Sequence, residues 1–519
     1  MGYFVAFVVA VVVILVTNIW RLCWILLWRP YVLTKTFEKQ GIKGPPYKFI
    51  YGSIKDMKKL GVAASDIVLD TNSNDIIQKV TPYYHKWSSE YGETMLYWYG
   101  TEARITITDP ELIKQVLSNK FGFYVRPWVR PTIKTLMGQK GLIFVEGHNW
   151  VRQRRLLNPA FSIDKLKTMT KKMAECTIAM LEGWKKAYKN KKCMKIEMSQ
   201  EFIKLTSDII AHTAFGSSYV QGKEAFNAQK ELQQHCVAAN LDVFVHGSQY
   251  LPTPSNIRIW KLDSLLKRTL KGIIEKRLRS KDSTKTYGDD LLATMIEYSE
   301  IADETKFNTP KLRVDEILEN CKAFFFAGHE TTSGLLTWTV FLLSLHQEWQ
   351  ERLRKEVLKE CLMEIPDADM LAKLKLMNMV LLETMRLYGP AIDLIRTPLE
   401  DTKLGNLMIP KGTSIQIPII RIHRNKKYWG DDADEFNPFR FANGVSKAAK
   451  HPNAFLGFGM GPRVCIGQNF AMLEAKTVLT LILQRLSLSL SPEYKHTPVN
   501  HITLHPHNGL PIIVEPLSL

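Results

Sequence analysis

The stretch Phe458-Gly-Met-Gly461-Pro-Arg463-Val-Cys465-Ile-Gly467 decides how this chain is read. Three glycines in ten residues make a loop whose backbone can approach another group closely. A single cysteine closes the loop, just before an apolar pattern that predicts a helix from Gln468 to Arg485. Amides at a helix N-terminus favour a thiolate over a thiol. Arg463, two residues before the cysteine, offers a partner for a carboxylate. A lone cysteine is ordinarily a small buried hydrophobe; the glycines and the arginine set this one apart.

Outward from the loop, helical periodicity dominates. Val314 to Leu345 is a long apolar-patterned run, Gln347 to Cys361 is amphipathic and charged, and Met377 to Tyr388 is a further helix. Strand signals are few and short. Thr413 to Ile417 and Leu486 to Leu490 alternate, and Asn508-Gly509 predicts a hairpin turn before Pro511-Ile-Ile-Val514. The fold class is therefore mainly α with small β sheets. Ser280 to Asp290 is polar and reads as a surface loop between helices.

The chain has 519 residues, 45% hydrophobic and 23% charged, which is globular composition. That excludes a disordered tail protein, a collagen and a polytopic transporter. Length alone suggests about three domains. Seven cysteines are scattered, without metal-finger spacing, and read as reduced cytosolic thiols. The formal charge of +18 is compatible with nucleic acid, an anionic membrane or an acidic protein partner.

The N-terminus narrows that choice. Tyr3 to Trp20 is apolar except for Thr17 and Asn18, and a second apolar piece, Leu22 to Trp28, follows Arg21. Roughly twenty apolar residues span a bilayer. No basic region precedes the run and no cleavage-like site follows it, so an uncleaved anchor is expected. The basic residues Arg21, Arg29, Lys35, Lys39, Lys43 and Lys48 come afterwards, against one acid, Glu38. By the positive-inside rule the rest of the chain stays cytosolic. Gly41-Ile-Lys-Gly-Pro-Pro46 reads as a stiff linker. The expected division is an anchor over 1–28, a basic and Pro-rich linker over 29–48, and a body over 49–519.

A thiolate presented as Cys465 is suits a haem iron, toward which it pushes electron density. Here the sequence resembles the cytochrome P450 superfamily, whose F-x-x-G-x-R-x-C-x-G signature is matched at Phe458, Gly461, Arg463, Cys465 and Gly467. Ala327-Gly-His-Glu330-Thr331-Thr332 resembles the A-G-x-[DE]-T-T segment of that family's long helix. Glu383-Thr-Met-Arg386, Phe436-Asn-Pro-Phe-Arg440-Phe and Trp150-Val-Arg-Gln-Arg154 are similar to three more family motifs. The resemblance covers essentially the whole chain. It implies the P450 fold with one N-terminal transmembrane helix, replacing the three-domain expectation with one anchor and one large haem domain.

The resemblance implies roles residue by residue. Cys465 is the metal ligand of haem b. Trp150, Arg154, Arg396, Phe458, Arg463 and Gly467 bind the cofactor, the arginines toward the propionates. Glu330 and Thr331 relay protons, beside a helix opening that Gly328 makes easier. Taken alone, Glu330 is a surface acid and Thr331 bonds back to a carbonyl. Glu383, Arg386 and Arg440 form a buried structural charge network. Trp128, Leu142, Phe144, Phe326, Ala327, Leu394 and Leu504 line the substrate pocket. Asp393 is either a specificity group or points away. Gly389-Pro390 departs from the usual Pro-Pro, and Glu330 from the more frequent Asp.

The wording AGHETT and CIGQNFA resembles plant microsomal enzymes. Asp208 to Tyr219 and Asn158 to Phe161 are similar to the non-A-type clan with secologanin-synthase-like, cytokinin-hydroxylase-like and hormone-inactivating members. The implied function is monooxygenation of a large apolar terpenoid, steroid or triterpenoid. A fatty acid or a cytokinin-type hormone is the alternative substrate. The implied electron donor is NADPH through NADPH–cytochrome P450 reductase, with cytochrome b5 as a further partner, at the endoplasmic reticulum membrane. A P450-fold isomerase or dehydratase and a non-catalytic haem-binding membrane protein are the rivals; the first typically loses the acid–threonine pair, which is present here. The positive charge then falls on the post-anchor segment, on Arg152, Arg154 and Arg155 behind the haem, where an acidic reductase docks, and on Lys165 to Lys192. Nucleic acid is not expected as a partner.

Overall fold

The computed structural model describes residues 2–119, 122–187, 193–216, 219–239, 241–284, 287–288, 290–299 and 311–517. Helix α1 (Gly2–Cys23) buries none of its side chains. A π-helical turn, Trp24–Trp28, carries it without a break into α2 (Arg29–Glu38). Among the described residues, Gly2–Glu38 is the one helix long and apolar enough to cross a membrane.

The segment 29–48 is not an extended linker throughout. Pro30 lies within the continuous helix, directly after the π-helical turn Trp24–Trp28, so its missing N–H falls where the regular backbone bonding has already changed. Leu33 and Phe37, four apart on one face, are buried against the sheet side of the body together with Ile42. Arg29 Nη2 donates to the Gly412 carbonyl at 3.1 Å, and Gln40 Nε2 to that of Met408 at 3.1 Å.

The helices that frame the site are α3 (Gly147–Leu157), α4 (Ile163–Ala187), α5 (Met198–Phe215), α6 (Tyr219–Ala239), α7 (Pro254–Thr284), α8 (Val314–Leu345), α9 (Gln347–Cys361), α10 (Lys375–Tyr388) and α11 (Gln468–Leu483). Helix α8 is buried along nearly its full length, as an all-round apolar helix must be. Helix α7 runs to Thr284, so the polar segment from Ser280 begins as helix; residues 285, 286 and 289 of that segment lie outside the described residues.

Among the described residues, twelve strands form small sheets: β1 (Leu96–Tyr99), β2 (Glu102–Thr106), β3 (Tyr124–Val125), β4 (Met194–Glu197), β5 (Leu394–Pro398), β6 (Thr402–Leu404), β7 (Leu407–Ile409), β8 (Ser414–Ile417), β9 (Leu486–Leu490), β10 (Pro498–His501), β11 (Thr503–Pro506) and β12 (Pro511–Pro516). The largest has the order β1-β2-β8-β5-β3, with β2 and β8 parallel. Asn508-Gly509 makes a turn but no hairpin. β12 pairs with β4 and β9, while β11 turns back on β10.

Candidate functional site

The glycine loop takes the shape its composition requires. Gly459 and Gly461 have φ of +76° and +74°, and a Cβ on Gly461 would run into the Leu117 carbonyl. The Cys465 amide donates to the Phe458 carbonyl at 3.0 Å, closing the loop on itself. Gly467 is the N-cap of α11, and its amide points at the Cys465 sulfur. Burial raises the thiol, while the Gly467 amide and Arg154 act in the opposite direction, toward the thiolate.

Arg154, from α3, donates to the Val464 carbonyl at 3.0 Å and so stands beside the cysteine. The propionate arginines gather elsewhere. The Arg463 guanidinium lies 4.7 Å above the Trp150 ring, donates to Val145 O at 2.8 Å and is ion-paired with Glu146. Arg396 is buried on β5 and donates to Ile395 O at 2.8 Å. Burial and Arg463 push it down to about 10, partly opposed by Glu146. Sequence reasoning missed Arg126. Burial, with Arg396 and Arg463 nearby, pushes it down to about 9, and its buried Nε has no hydrogen-bond partner. It directly follows β3, in the stretch of chain that also carries Trp128, Leu142 and Phe144.

Three guanidiniums thus share one carboxylate, Glu146, leaving a surplus of two positive charges. A buried surplus of this kind is unfavourable alone and fits a dianionic group such as the two propionates of a haem. The fold and the site together define a haem-thiolate protein. A family profile, "Cytochrome P450", matches residues 68–512. The chain is 54% identical over 512 residues to "Cytochrome P450 709B3" of Arabidopsis thaliana, covering 98% of each chain. It is 41% identical to "Cytochrome P450 CYP72A616" of Paris polyphylla, with 94% of each covered. It is 38% identical to "Cytochrome P450 734A1" of Arabidopsis thaliana, covering 95% of this chain and 94% of that one. The chain belongs to the cytochrome P450 family, beside non-A-type plant relatives. It is a haem-thiolate monooxygenase that takes electrons from a reductase and acts on a small molecule.

The charge network assembles as expected. Arg386 holds Glu383 in a two-point fork at 2.7 and 2.8 Å, with neither side chain exposed. Arg386 also donates to the carbonyls of His423, Ala433 and Glu435 at 2.8, 2.5 and 3.0 Å. Arg440 lies 3.5 Å from Glu383 and pairs with Asp432 at 2.6 Å. His423, missed in the sequence, carries this network to the haem loop. Its Nε2 accepts from the Leu456 amide at 2.9 Å, so its proton sits on Nδ1, facing Arg386 O at 3.1 Å.

The long helix differs from expectation in two ways. α8 stays α-helical through Gly328, with no widened turn; a Cβ there would strike the Ile210 side chain, so the glycine admits α5. Thr331 Oγ1 donates to Ala327 O at 2.6 Å, leaving its oxygen as an acceptor. Glu330 is buried, not a surface acid, and binds partners from two other elements. Its Oε1 accepts from Gln233 Nε2 at 2.5 Å and Thr503 Oγ1 at 2.9 Å, and lies 2.7 Å from His505 Nε2. Burial pushes this carboxyl up, but His505, His329 and Thr503 pull it down to about 2. A second acid, Glu474 on α11, is fully buried. Burial pushes its carboxyl well up, Thr332 opposes, and neither oxygen makes a well-formed hydrogen bond.

The pocket residues divide. Phe326 and Ala327 stand on α8 one turn before the acid and threonine, and Leu394 reaches toward Gly459. Phe144 is half-buried and Leu142 buried in the preceding loop. Trp128 is half exposed, against Phe244 and His246 at 4.9 and 5.1 Å, and is not part of a buried lining. Leu504 is packed in the core, its carbonyl accepting from Trp338 at 3.0 Å. Asp393 turns into the sheet, where Gln416 donates to it at 2.7 Å. Arg152 also turns inward, ion-paired with Glu316 of α8, which removes it from the docking face expected behind the haem. Residues 188–192 of the Lys165–Lys192 run lie outside the described residues.

Proposed function

We propose that this monooxygenase hydroxylates a large apolar terpenoid, steroid or triterpenoid at an unactivated carbon. The observation that carries the reading is that Phe326 and Ala327, both apolar, stand on α8 one turn before Glu330 and Thr331. Bound haem supplies the oxygen activation, by which one oxygen atom enters the substrate and the other leaves as water. Cys465 would hold the haem iron through its thiolate. Trp150, Arg154, Arg396, Arg463 and the added Arg126 hold the cofactor, with Phe458 and Gly467 shaping the loop around it. Thr331 accepts a water at its free lone pairs, and Glu330 serves the proton supply. The intact acid–threonine pair favours oxygenation over peroxide rearrangement.

Electrons come from NADPH through NADPH–cytochrome P450 reductase, with cytochrome b5 as a second donor. Residues 1–28 anchor the protein in the endoplasmic reticulum membrane, and 49–519 form the cytosolic haem domain. The test is microsomal expression with reductase and a panel of sterols, triterpenoids and fatty acids, read by mass spectrometry. A hydroxylated sterol or triterpenoid is expected; turnover of fatty acids alone would overturn the substrate class. Cys465→Ala is expected to abolish the reduced-CO band near 450 nm, which thiolate ligation produces (about 450 nm by its ordinary position).

A further inference from the structure

The search for proton carriers around α8 leads to the C-terminal hairpin. We propose that His505 on β11 is a positioning residue for Glu330 and the port through which solvent protons reach it. This inference rests on the reading that Glu330 and Thr331 serve proton supply.

The geometry is built by the strand period. Thr503 and His505 are two apart and share one face of β11. Both meet Glu330 Oε1, at 2.9 and 2.7 Å. Leu504 between them faces the opposite way, into the Trp338 core. A one-residue slip of β11 would put a leucine against the carboxylate, so burial of Leu504 fixes the register. Gln233 from α6 closes the third side of Glu330, and it also reaches His501 O at 3.5 Å. The extra methylene of Glu over Asp supplies the reach from α8 to the hairpin.

Every titratable neighbour has a distinguishable part. His329, on α8 itself, is buried; its Nδ1 faces Phe325 O at 2.6 Å, and Nε2 is 3.8 Å from Glu330 Oε2. Burial lowers its pKa, so it stays neutral with its proton committed to the backbone. His505 keeps 17% side-chain exposure against 4% for Glu330. His501 and His507 flank it at the exposed end, their rings 6.3 Å apart. The order from solvent inward is His501 and His507, then His505, then Glu330. A carboxylate held this low carries almost no proton at neutral pH, so it cannot be the store. An imidazole against it can. The step is a transfer of H⁺ from His505 Nε2 to Glu330 Oε1, which becomes transiently neutral. Onward release restores the carboxylate, and solvent returns H⁺ to the imidazole.

The test uses full-length holoenzyme reconstituted with reductase, without added substrate, and reads peroxide released per NADPH oxidised between pH 6 and 8.5. His505→Gln keeps an amide donor for Glu330 but has no titrating ring. Thr331→Ala tests the underlying reading, and Glu330→Asp, too short to reach β11, is the second route to the same break. Wild type is expected to release more peroxide as the pH rises. His505→Gln and Glu330→Asp are expected to release more at all pH values, several-fold at pH 6, with the pH slope gone. Independently of turnover, the ¹⁵N ring signals of His505 are expected to differ between wild type and Glu330→Gln at one fixed pH, because the ring no longer faces a carboxylate 2.7 Å away. A peroxide ratio and pH slope in His505→Gln equal to wild type, with Thr331→Ala raised, would overturn the port while leaving proton supply intact. If Thr331→Ala and His505→Gln both match wild type, the proton-supply reading falls with it. Unchanged His505 ring signals in Glu330→Gln also overturn the proposal, whatever the variants do in turnover.

Discussion

Glu383 and Glu330 are both buried glutamates on core helices, and they are neutralised by opposite means. Glu383 faces an arginine, charged at every accessible pH, in a two-point fork. Glu330 faces a hydroxyl, an amide and an imidazole, only the last of which can take up charge. A fixed pair makes a clamp; a titrating pair can be set and reset. The clamp lies on α10 beneath the haem loop, and the resettable pair lies on α8 beside Thr331. Glu474 is a third solution, a carboxyl kept neutral by burial alone.

Replacing each glutamate by glutamine separates the three. Glu383→Gln is expected to cost the most, about 3–5 kcal/mol, because Arg386 is left buried and unpaired. The measurement is thermal unfolding together with haem retention, and a stable, fully loaded variant would erase the difference between clamp and switch. Glu330→Gln is expected to cost about 1–3 kcal/mol, since two neutral donors keep an acceptor and only the imidazole loses its counter-charge. Haem loading should survive it.

The acid side of the stability curve sharpens the contrast. Glu330 titrates at about 2 when folded, below its ordinary 4.5. Its contribution is therefore complete above pH 4.5 and lost as pH falls toward 2. His423 is pushed down to about 3 from 6.5, by burial first and then by Arg386 and Arg424. The unfolded chain takes up that proton first, so the clamp side loses stability from pH 6.5 down to 3, at about 1.4 kcal/mol per pH unit. Denaturant titrations from pH 7 to 4 should show wild type and Glu330→Gln falling in parallel until about pH 4.5. His423→Gln should be flatter above that point. The smallest effect is Glu474→Gln, a neutral group exchanged for a neutral one, within about 1 kcal/mol of wild type and independent of pH between 5 and 8. A steep dependence there would mean Glu474 ionises in the folded protein.

The clamp was legible in the sequence and the switch only in part. Glu383 and Arg386 are three apart on one helix, and the glycine loop is contiguous, with φ demands that only glycine meets cheaply. Val314–Leu345 appears at the predicted bounds because its apolar pattern is unbroken. Glu330 and Thr331 stood out by motif, but His505 lies 175 residues from Glu330, and a strand's period does not say which helix its face meets. Arg126, Glu146 and His423 were hidden for the same reason. Asn508-Gly509 was misread because turn chemistry is local, whereas the partner of β12 is β4, more than 300 residues earlier in the chain (Ile512 opposite Ile196). Residues 29–48 were read as a basic, Pro-rich linker, although Leu33 and Phe37 already carried a helical spacing.

That docked helix changes what the N-terminus does mechanically. An extended linker would be a tether, letting the body roll and tilt beneath the bilayer at little cost. Here the apolar helix turns through Trp24–Trp28 directly into α2, and α2 is keyed to the body through Leu33, Phe37 and the Arg29–Gly412 contact. Torque applied at one end arrives at the other. A bilayer that gripped α1 would therefore also set the pitch of the haem domain.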